Sequence, residues 1–302
     1  MRKIKKEQRN FFQIHTHRKM INTIRRKDMI NKAERALISN LMVDAFEDFL
    51  MYIRNVNFDK LDADIGITIK QINTVCTQYS QALLHLILED FLWETEGLLR
   101  TVMEGSIKLA YIACEPDQIE NKIFEFSQIL PYINGTKRNK RIENILNITD
   151  LSERSRDADI YKKILDCELP DIDENINRKN RNEIKRKWDF IAMIEAIQNS
   201  GIKELVNTTV LSYPYGMMSN IVHMDYDGLN YIFERYDRSE DERDKVNSLQ
   251  TCRQYSDIYG LTLARTISIC LIYQTDYTEL LKLPSKHQEL LERIENQKKL
   301  HL

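Results

Sequence analysis

The chain has 302 residues and a net charge of −2, with 42% hydrophobic and 9% aromatic residues, a globular composition that excludes wholesale disorder. Its 8 glycines and 5 prolines are too few for a fold built from many tight hairpins, so the composition points to helices. The two most apolar stretches, residues 37–53 and 259–273, are interrupted by Asp44, Glu47 and Asp48 and by Arg265, which excludes a membrane-spanning helix there.

Charge is unevenly spread. Residues 1–35 hold twelve basic side chains against Glu7, Asp28 and Glu34, giving +9 there and −11 over the remainder. A basic arm on an acidic body can follow the phosphates of RNA or another nucleic acid, and it can equally dock on the chain's own acidic surface or on a partner protein. The N-terminus has no apolar signal core, and Cys76, Cys114, Cys167, Cys252 and Cys270 form no C-x-x-C pair. That is the usage of reduced thiols, so the expected location is the cytoplasm, with no membrane attachment.

In chain order, the arm is expected to contain a helix, and a strongly amphipathic one follows over residues 28–56, where Leu37, Leu41, Phe46, Phe49 and Ile53 recur at helical spacing. Residues 57–66 read as a connector. From Thr68 the pattern resumes, with Ile69, Ile72, Val75, Tyr79, Leu83 and Ile87 expected on one buried side. A long helix is expected over residues 90–114, closed by Glu115-Pro116, and another over 117–133, stopped near Asn134-Gly135. Residues 136–187 are the most polar part, with short helical patterns at 140–146 and 151–165, an acidic loop at 170–174 and the basic run Lys185-Arg186-Lys187. They read as a surface excursion. Helices resume at 188–198, 208–224 and 241–273, and Pro284 breaks the tail before a last charged helix. The expected organisation is a basic arm with its amphipathic helix (1–60), a helical core (61–276) and a charged C-terminal helix (277–302).

The helix at 90–114 is apolar around most of its circumference, so it belongs inside the domain. Yet Glu96, Arg100 and Glu104 follow one another at i, i+4 on one stripe that also carries Trp93, Ile107 and Tyr111. A surface ladder of this kind contributes a few tenths of a kcal/mol per pair, roughly. Covered by neighbours, the same charges require partners, and the network is then a structural device or a site.

The segment 213–224 divides cleanly. Tyr215, Ser219 and His223 share one face with the small residues Ser212 and Gly216 nearby, and Met217, Met218 and Ile221 form an apolar back. The imidazole is either a packed, hydrogen-bonded core histidine or the reactive end of a polar front. Ser219 lies in no nucleophile elbow and no oxyanion-hole motif accompanies it, which makes a serine hydrolase a poor alternative. His223, Asp225 and Asp227 have no second histidine at ligand spacing, so no metal site is expected.

These segments carry a resemblance. Leu98-Leu99-Arg100-Thr101-Val102-Met103-Glu104-Gly105-Ser106, then Leu109-Ala110-Tyr111-Ile112, Trp188, and Tyr215-x-x-x-Ser219-x-x-Val222-His223 resemble a bacterial all-helical domain family of unknown function with R-x3-E and Y-x3-S-x3-H motifs, over roughly residues 68–273. The resemblance implies that Arg100, Glu104, Tyr215, Ser219 and His223 belong to one site.

More distantly, the chain is similar to the HEPN superfamily, helical bundles that include metal-independent ribonucleases of toxin and antiphage systems. Glu96-x-x-x-Arg100 fits the E-x3-K/R element of that superfamily; its R-x(4–6)-H element is missing before His223, where Gly216, Met217 and Met218 stand. Arg9 and His15 match it literally in the arm, at the frequency expected by accident.

The fold class expected is therefore an all-α, HEPN-like multi-helix bundle with an N-terminal basic helical arm. The HEPN resemblance implies RNA cleavage in antiphage defence or a toxin system, with no cofactor and a homodimer. His223 would be the acid/base, Arg100 the phosphate clamp and Glu96 or Glu104 the orienting carboxylate. Tyr215 and Ser219 would bind the phosphate or a base edge. The alternative is a non-enzymatic sensor or partner-binding module whose charge and histidine cluster is a structural lock.

Overall fold

A computed structural model describes residues 32–148, 156–167, 169, 178–206 and 210–302, and among them every regular element is a helix. The expected arm, the acidic loop at 170–174 and residues 151–155 lie outside the described residues. The all-α multi-helix bundle read from composition is the fold observed.

The first helix described, α1 (Lys32–Arg54), buries Ile38, Met42, Ala45, Phe46 and Phe49 along one stripe. The expected connector is shorter than its composition suggested. A single 3-10 turn, Phe58–Lys60, leads to α2 (Ala63–Leu88), because the Asp62 carboxylate caps the Asp64 N–H at 2.9 Å and starts the helix early. The buried face of α2 also differs from the hydrophobic reading. Asn73, Cys76 and Ser80 are buried together with Ile69, Leu83 and Ile87, whereas Val75 and Tyr79 are exposed. Of these polar residues Asn73 meets Arg265, which is 1% exposed and donates from Nε to Asn73 Oδ1 (2.9 Å) and from Nη1 to Ser106 Oγ (3.1 Å).

Helix α3 (Glu96–Ala113) starts six residues later than expected. Asp90 takes a left-handed φ of 73°, a conformation that Asp tolerates better than most residues, and its carboxylate pairs with Arg35 of α1. Residues 90–95 thus form a corner that tucks Leu92 and Trp93 under the bundle.

The stop expected near Asn134-Gly135 is absent. The chain runs from α4 (Ile119–Phe124) through a π turn (Glu125–Ile129) into α5 (Leu130–Ile148). The Leu130 N–H bonds the Glu125 carbonyl five residues back. That wide turn moves the hydrogen-bond ladder aside where Pro131 has no N–H to give and would crowd the carbonyl four residues before it. Gly135 is no stop but a close approach, since a Cβ there would lie 2.3 Å from Leu169 Cδ2.

Short helices follow: α6 (Arg156–Leu165), α7 (Arg178–Lys187), α8 (Phe190–Asn199, capped by Asp189) and α9 (Lys203–Val206). A hairpin of α10 (Ser212–His223) and α11 (Tyr226–Asp237) turns at Met224, which adopts a left-handed φ of 51°. The longest helix, α12 (Glu240–Ile272), sits almost where the periodicity placed it, started by a reciprocal cap between Ser239 and Glu242. Pro284 falls in the first turn of α13 (Leu283–Lys286), and α14 (Gln288–His301) folds back along α12.

Helix α3 lies at the centre, packed by α2, α8, α10 and α12, while α1 and α14 cover the other side of α12. One apolar cluster runs from Ile38 in α1 to Ile294 in α14. Among the described residues no helix is long and apolar enough to cross a membrane.

Candidate functional site

Because α3 is central, most of it is buried, but one stripe reaches solvent, with Thr101 exposed and Gly97, Leu98, Arg100, Glu104, Gly105 and Lys108 half-buried. Spacing of i, i+4, i+8 places Arg100, Glu104 and Lys108 along that stripe. Arg100 Nε lies 3.1 Å from Glu104 Oε1, with the two side chains 18% and 31% exposed. Tyr215 of α10 closes the triangle. Its hydroxyl accepts from Arg100 Nη2 (3.1 Å) and donates to Glu104 Oε1 (3.0 Å).

Phe190, at the start of α8, stacks on the Tyr215 ring with centroids 3.6 Å apart and planes 5° from parallel, and the guanidinium carbon lies 4.9 Å from the same ring centroid. Burial pushes the Tyr215 phenol above its usual range; the Arg100 hydrogen bond opposes this and the Glu104 carboxylate adds to it. The hydroxyl therefore stays protonated and keeps donating to Glu104.

Glu96 is not part of that group. One turn earlier on α3, its fully buried side chain points at α12, where Oε1 receives Arg253 Nη2 at 2.5 Å, Gln254 Nε2 at 2.7 Å and Gln250 Nε2. Its Oε2 has no hydrogen-bond partner among the described residues. Arg253 also reaches Asp257 Oδ2 at 2.7 Å, and burial raises that carboxyl to about 6 against the pull of Arg253. The expected Glu96–Arg100–Glu104 ladder is thus two separate clusters, one facing α10 and one facing α12.

His223 is exposed at the end of α10, two turns beyond Tyr215, and makes no hydrogen bond or ion pair among the described residues. Val222 is the residue that faces α3, since a Cβ on Gly97 would sit 3.4 Å from Val222 Cγ2. The imidazole, one residue and about 100° further round the helix, is turned aside. Half-buried Ser219 lies between them without a bond to Arg100, Glu104 or Tyr215. Next to His223 the hairpin exposes large apolar side chains, Met224 at 74% and Tyr226 at 78%, and Tyr213 at the other end of α10 is 81% exposed. Of the six residues singled out in the sequence, the fold therefore joins Arg100, Glu104 and Tyr215 and leaves Glu96, Ser219 and His223 outside that triangle.

Sequence reasoning missed Phe190, Gln250, Arg253, Gln254 and Asp257. A usable signal existed for the last four: polar side chains interrupt the apolar pattern of α12 over two turns, and a helix buried on several sides carries such residues only where another element answers them. Nothing in the sequence marks Phe190 as the stacking partner of Tyr215. Among the described residues no three His, Cys, Asp or Glu side chains gather closely enough to hold a metal ion.

No curated protein and no solved structure matches the chain. A family model does match, over residues 69–243, from the first turns of α2 to the first turn of α12, and both α3 and α10 fall within it. The all-helical family of unknown function expected from the Arg100–Glu104 and Tyr215–His223 segments is thus found, ending thirty residues short of the expected 273. The chain belongs to the family of unknown function DUF5677.

Proposed function

We propose that this chain is a non-enzymatic helical binding module, in which the Arg100–Glu104–Tyr215 triangle is a polar lock that fixes α10 on α3. One observation carries this reading: the charge of Arg100 is already answered inside the fold, by Glu104 at 3.1 Å and Tyr215 at 3.1 Å, while His223 is turned away from it. A half-buried guanidinium whose charge is balanced by a carboxylate on its own helix and tied to a hydroxyl on the next holds two helices in one register.

The lock is tested by melting. Arg100→Ala strips Glu104 and the Tyr215 hydroxyl of their partner at a partly covered site, a loss of roughly 1–2 kcal/mol. For a chain of this size that lowers Tm by about 3–5 °C. Arg100→Ala and Tyr215→Phe should also be non-additive, because they remove the same interaction. Additive effects, or an unchanged Tm in Arg100→Ala, would show that the triangle fixes nothing.

A second reading is favoured by the surroundings of His223. The HEPN resemblance implies a metal-independent ribonuclease of antiphage defence or a toxin system that works as a homodimer, and here the imidazole stands beside exposed Met224 and Tyr226, a surface that a second copy would cover. In that arrangement His223 would meet groups of the partner copy and act there as acid/base. The assay is cleavage of total RNA in EDTA by the wild type and by His223→Ala. Equal behaviour of the two proteins removes this reading.

A further inference from the structure

The polar stripe of α3 does not end at Glu104. One turn further, Lys108 opens into a second groove, walled by Thr68 and Gln71 of α2, by Phe126 and Ser127 in the π turn, and by Lys185 and Trp188. Its cationic groups are crowded. Lys185 is held below the usual lysine range by burial and by the neighbouring positive charge of Lys137, with Arg181 adding to the repulsion. The Arg181 guanidinium lies 5.0 Å from the Tyr132 ring centroid and Lys108 Nζ 5.8 Å from that of Phe126.

The carboxylate that precedes Phe126 is already engaged: Glu125 accepts from Trp188 Nε1 at 2.8 Å and lies 3.6 Å from Lys187 Nζ. Neither Lys108 nor Lys185 has a carboxylate at ion-pair distance among the described residues. The positive surface also continues beyond the groove. Helix α5 carries Lys137, Arg138, Lys140 and Arg141 against Glu143, and α7 carries six basic residues against Glu183. The fold therefore holds like charges together next to aromatic rings, and a row of anions would relieve that repulsion.

We propose that the groove between α3, α5 and α7 binds single-stranded RNA, with Lys108, Lys137 and Lys185 on its phosphates and the half-buried ring of Phe126 meeting a base. A run of cations longer than the groove itself favours a ligand with repeated phosphates over a single nucleotide, and the aromatic floor favours RNA over a lipid surface. The π turn serves this placement, because it sets Phe126 and Ser127 against the groove while Glu125 stays tied to Trp188. This rests on the reading of the chain as a binding module, and the two fail separately: the lock is read by melting, the groove by titration.

The experiment is fluorescence anisotropy of a labelled 20-nucleotide single-stranded RNA with the full chain, in EDTA, at several salt concentrations. Four proteins are compared: wild type, Lys137→Glu/Lys185→Glu, Lys108→Gln, and an arm variant with Arg25, Arg26 and Lys27 replaced by Ala. The charge reversal should weaken binding more than tenfold and flatten the plot of log affinity against log salt by about 1.4, the value for two lost phosphate contacts to a single strand. Lys108→Gln should weaken binding several-fold. The arm variant should keep most of its affinity, and thermal melting of all four verifies that the reversals leave the fold intact. Wild-type affinity in the reversal variant, loss of binding only in the arm variant, displacement of the RNA by equimolar ATP, or binding to phosphatidylserine vesicles without binding to RNA would each overturn the assignment.

Discussion

Two glycines at similar helical positions should respond in opposite directions to the same substitution. Gly105 lies in α3 facing α2, and a Cβ there would meet Cys76 Sγ at 2.3 Å, well inside contact distance; Gly260, on the exposed side of α12, would meet nothing within 4 Å. In a helix interior, Gly→Ala gains up to about 1 kcal/mol from backbone entropy alone. At Gly260 nothing opposes that gain, so Gly260→Ala should raise Tm by about 2 °C. At Gly105 the added methyl overlaps a thiol that is itself 2% exposed, and overpacking of this kind costs about 1–3 kcal/mol. The clash wins, and Gly105→Ala should lower Tm by about 2–4 °C. The decisive arm is the double variant. In a Cys76→Ala background the sulfur is gone and the new methyl fills the space it left, so Gly105→Ala should then stabilise. Thermal unfolding followed by circular dichroism, with urea titration for free energies, compares the wild type with Gly260→Ala, Gly105→Ala, Cys76→Ala and the double variant. If Gly105→Ala raises Tm in the wild-type background, or if removing Cys76 does not reverse its sign, α2 and α3 do not approach as closely as described.

Two further outcomes follow from burial. The Asp257 carboxyl titrates near 6 in the folded chain, against 3.8 for the free side chain, because burial disfavours its charge. Between those values the folded state keeps a proton that the unfolded state has lost, so stability should fall as pH rises from about 4 to 6, by at most about 3 kcal/mol. Asp257→Asn should flatten that decline in urea titrations across the window, and an unchanged slope would refute the assignment. Cys167 is exposed whereas Cys76, Cys114, Cys252 and Cys270 are buried, so a maleimide should add once to the native protein and five times in urea, as read by intact mass. More than one rapid native addition would mean that the buried thiols open readily.

What the sequence disclosed was set by how local the cause was. α12 was legible to within a residue at each end because no proline breaks residues 240–272 and its start is fixed locally, by the reciprocal cap between Ser239 and Glu242. The corner at residues 90–95 was not, since the left-handed Asp90 depends on Arg35, 55 residues away. Asn134-Gly135 read as a turn because glycine usually supplies unusual dihedrals, whereas here the missing side chain makes room for Leu169. The same rule holds at the site. Arg100 and Glu104 are one helical turn apart, and their pairing follows from spacing alone. Tyr215 was placed on the right face of its helix, but Val222 rather than His223 shares that contact with α3, a rotation that no wheel drawn without a partner helix can fix. Glu96 was grouped with Arg100 by spacing, yet three donors on α12, 154 to 158 residues away, hold it elsewhere. The side chains that answer a buried charge come from another element, so the need for them was legible and their identity was not.

The positions of the two tryptophans give the chain a built-in pair of optical reporters. Trp93 stands edge-on to Tyr231 near the N-terminal end of α3, beside the corner where the α10–α11 hairpin docks, and Trp188 stands edge-on to Tyr111 near the other end, on the wall of the cationic groove. Replacing either by Phe leaves the emission of the other. A protein with only Trp188 then senses an occupant of the groove, and one with only Trp93 senses loosening of the hairpin, so events at the two ends of one central helix can be timed independently without an added dye.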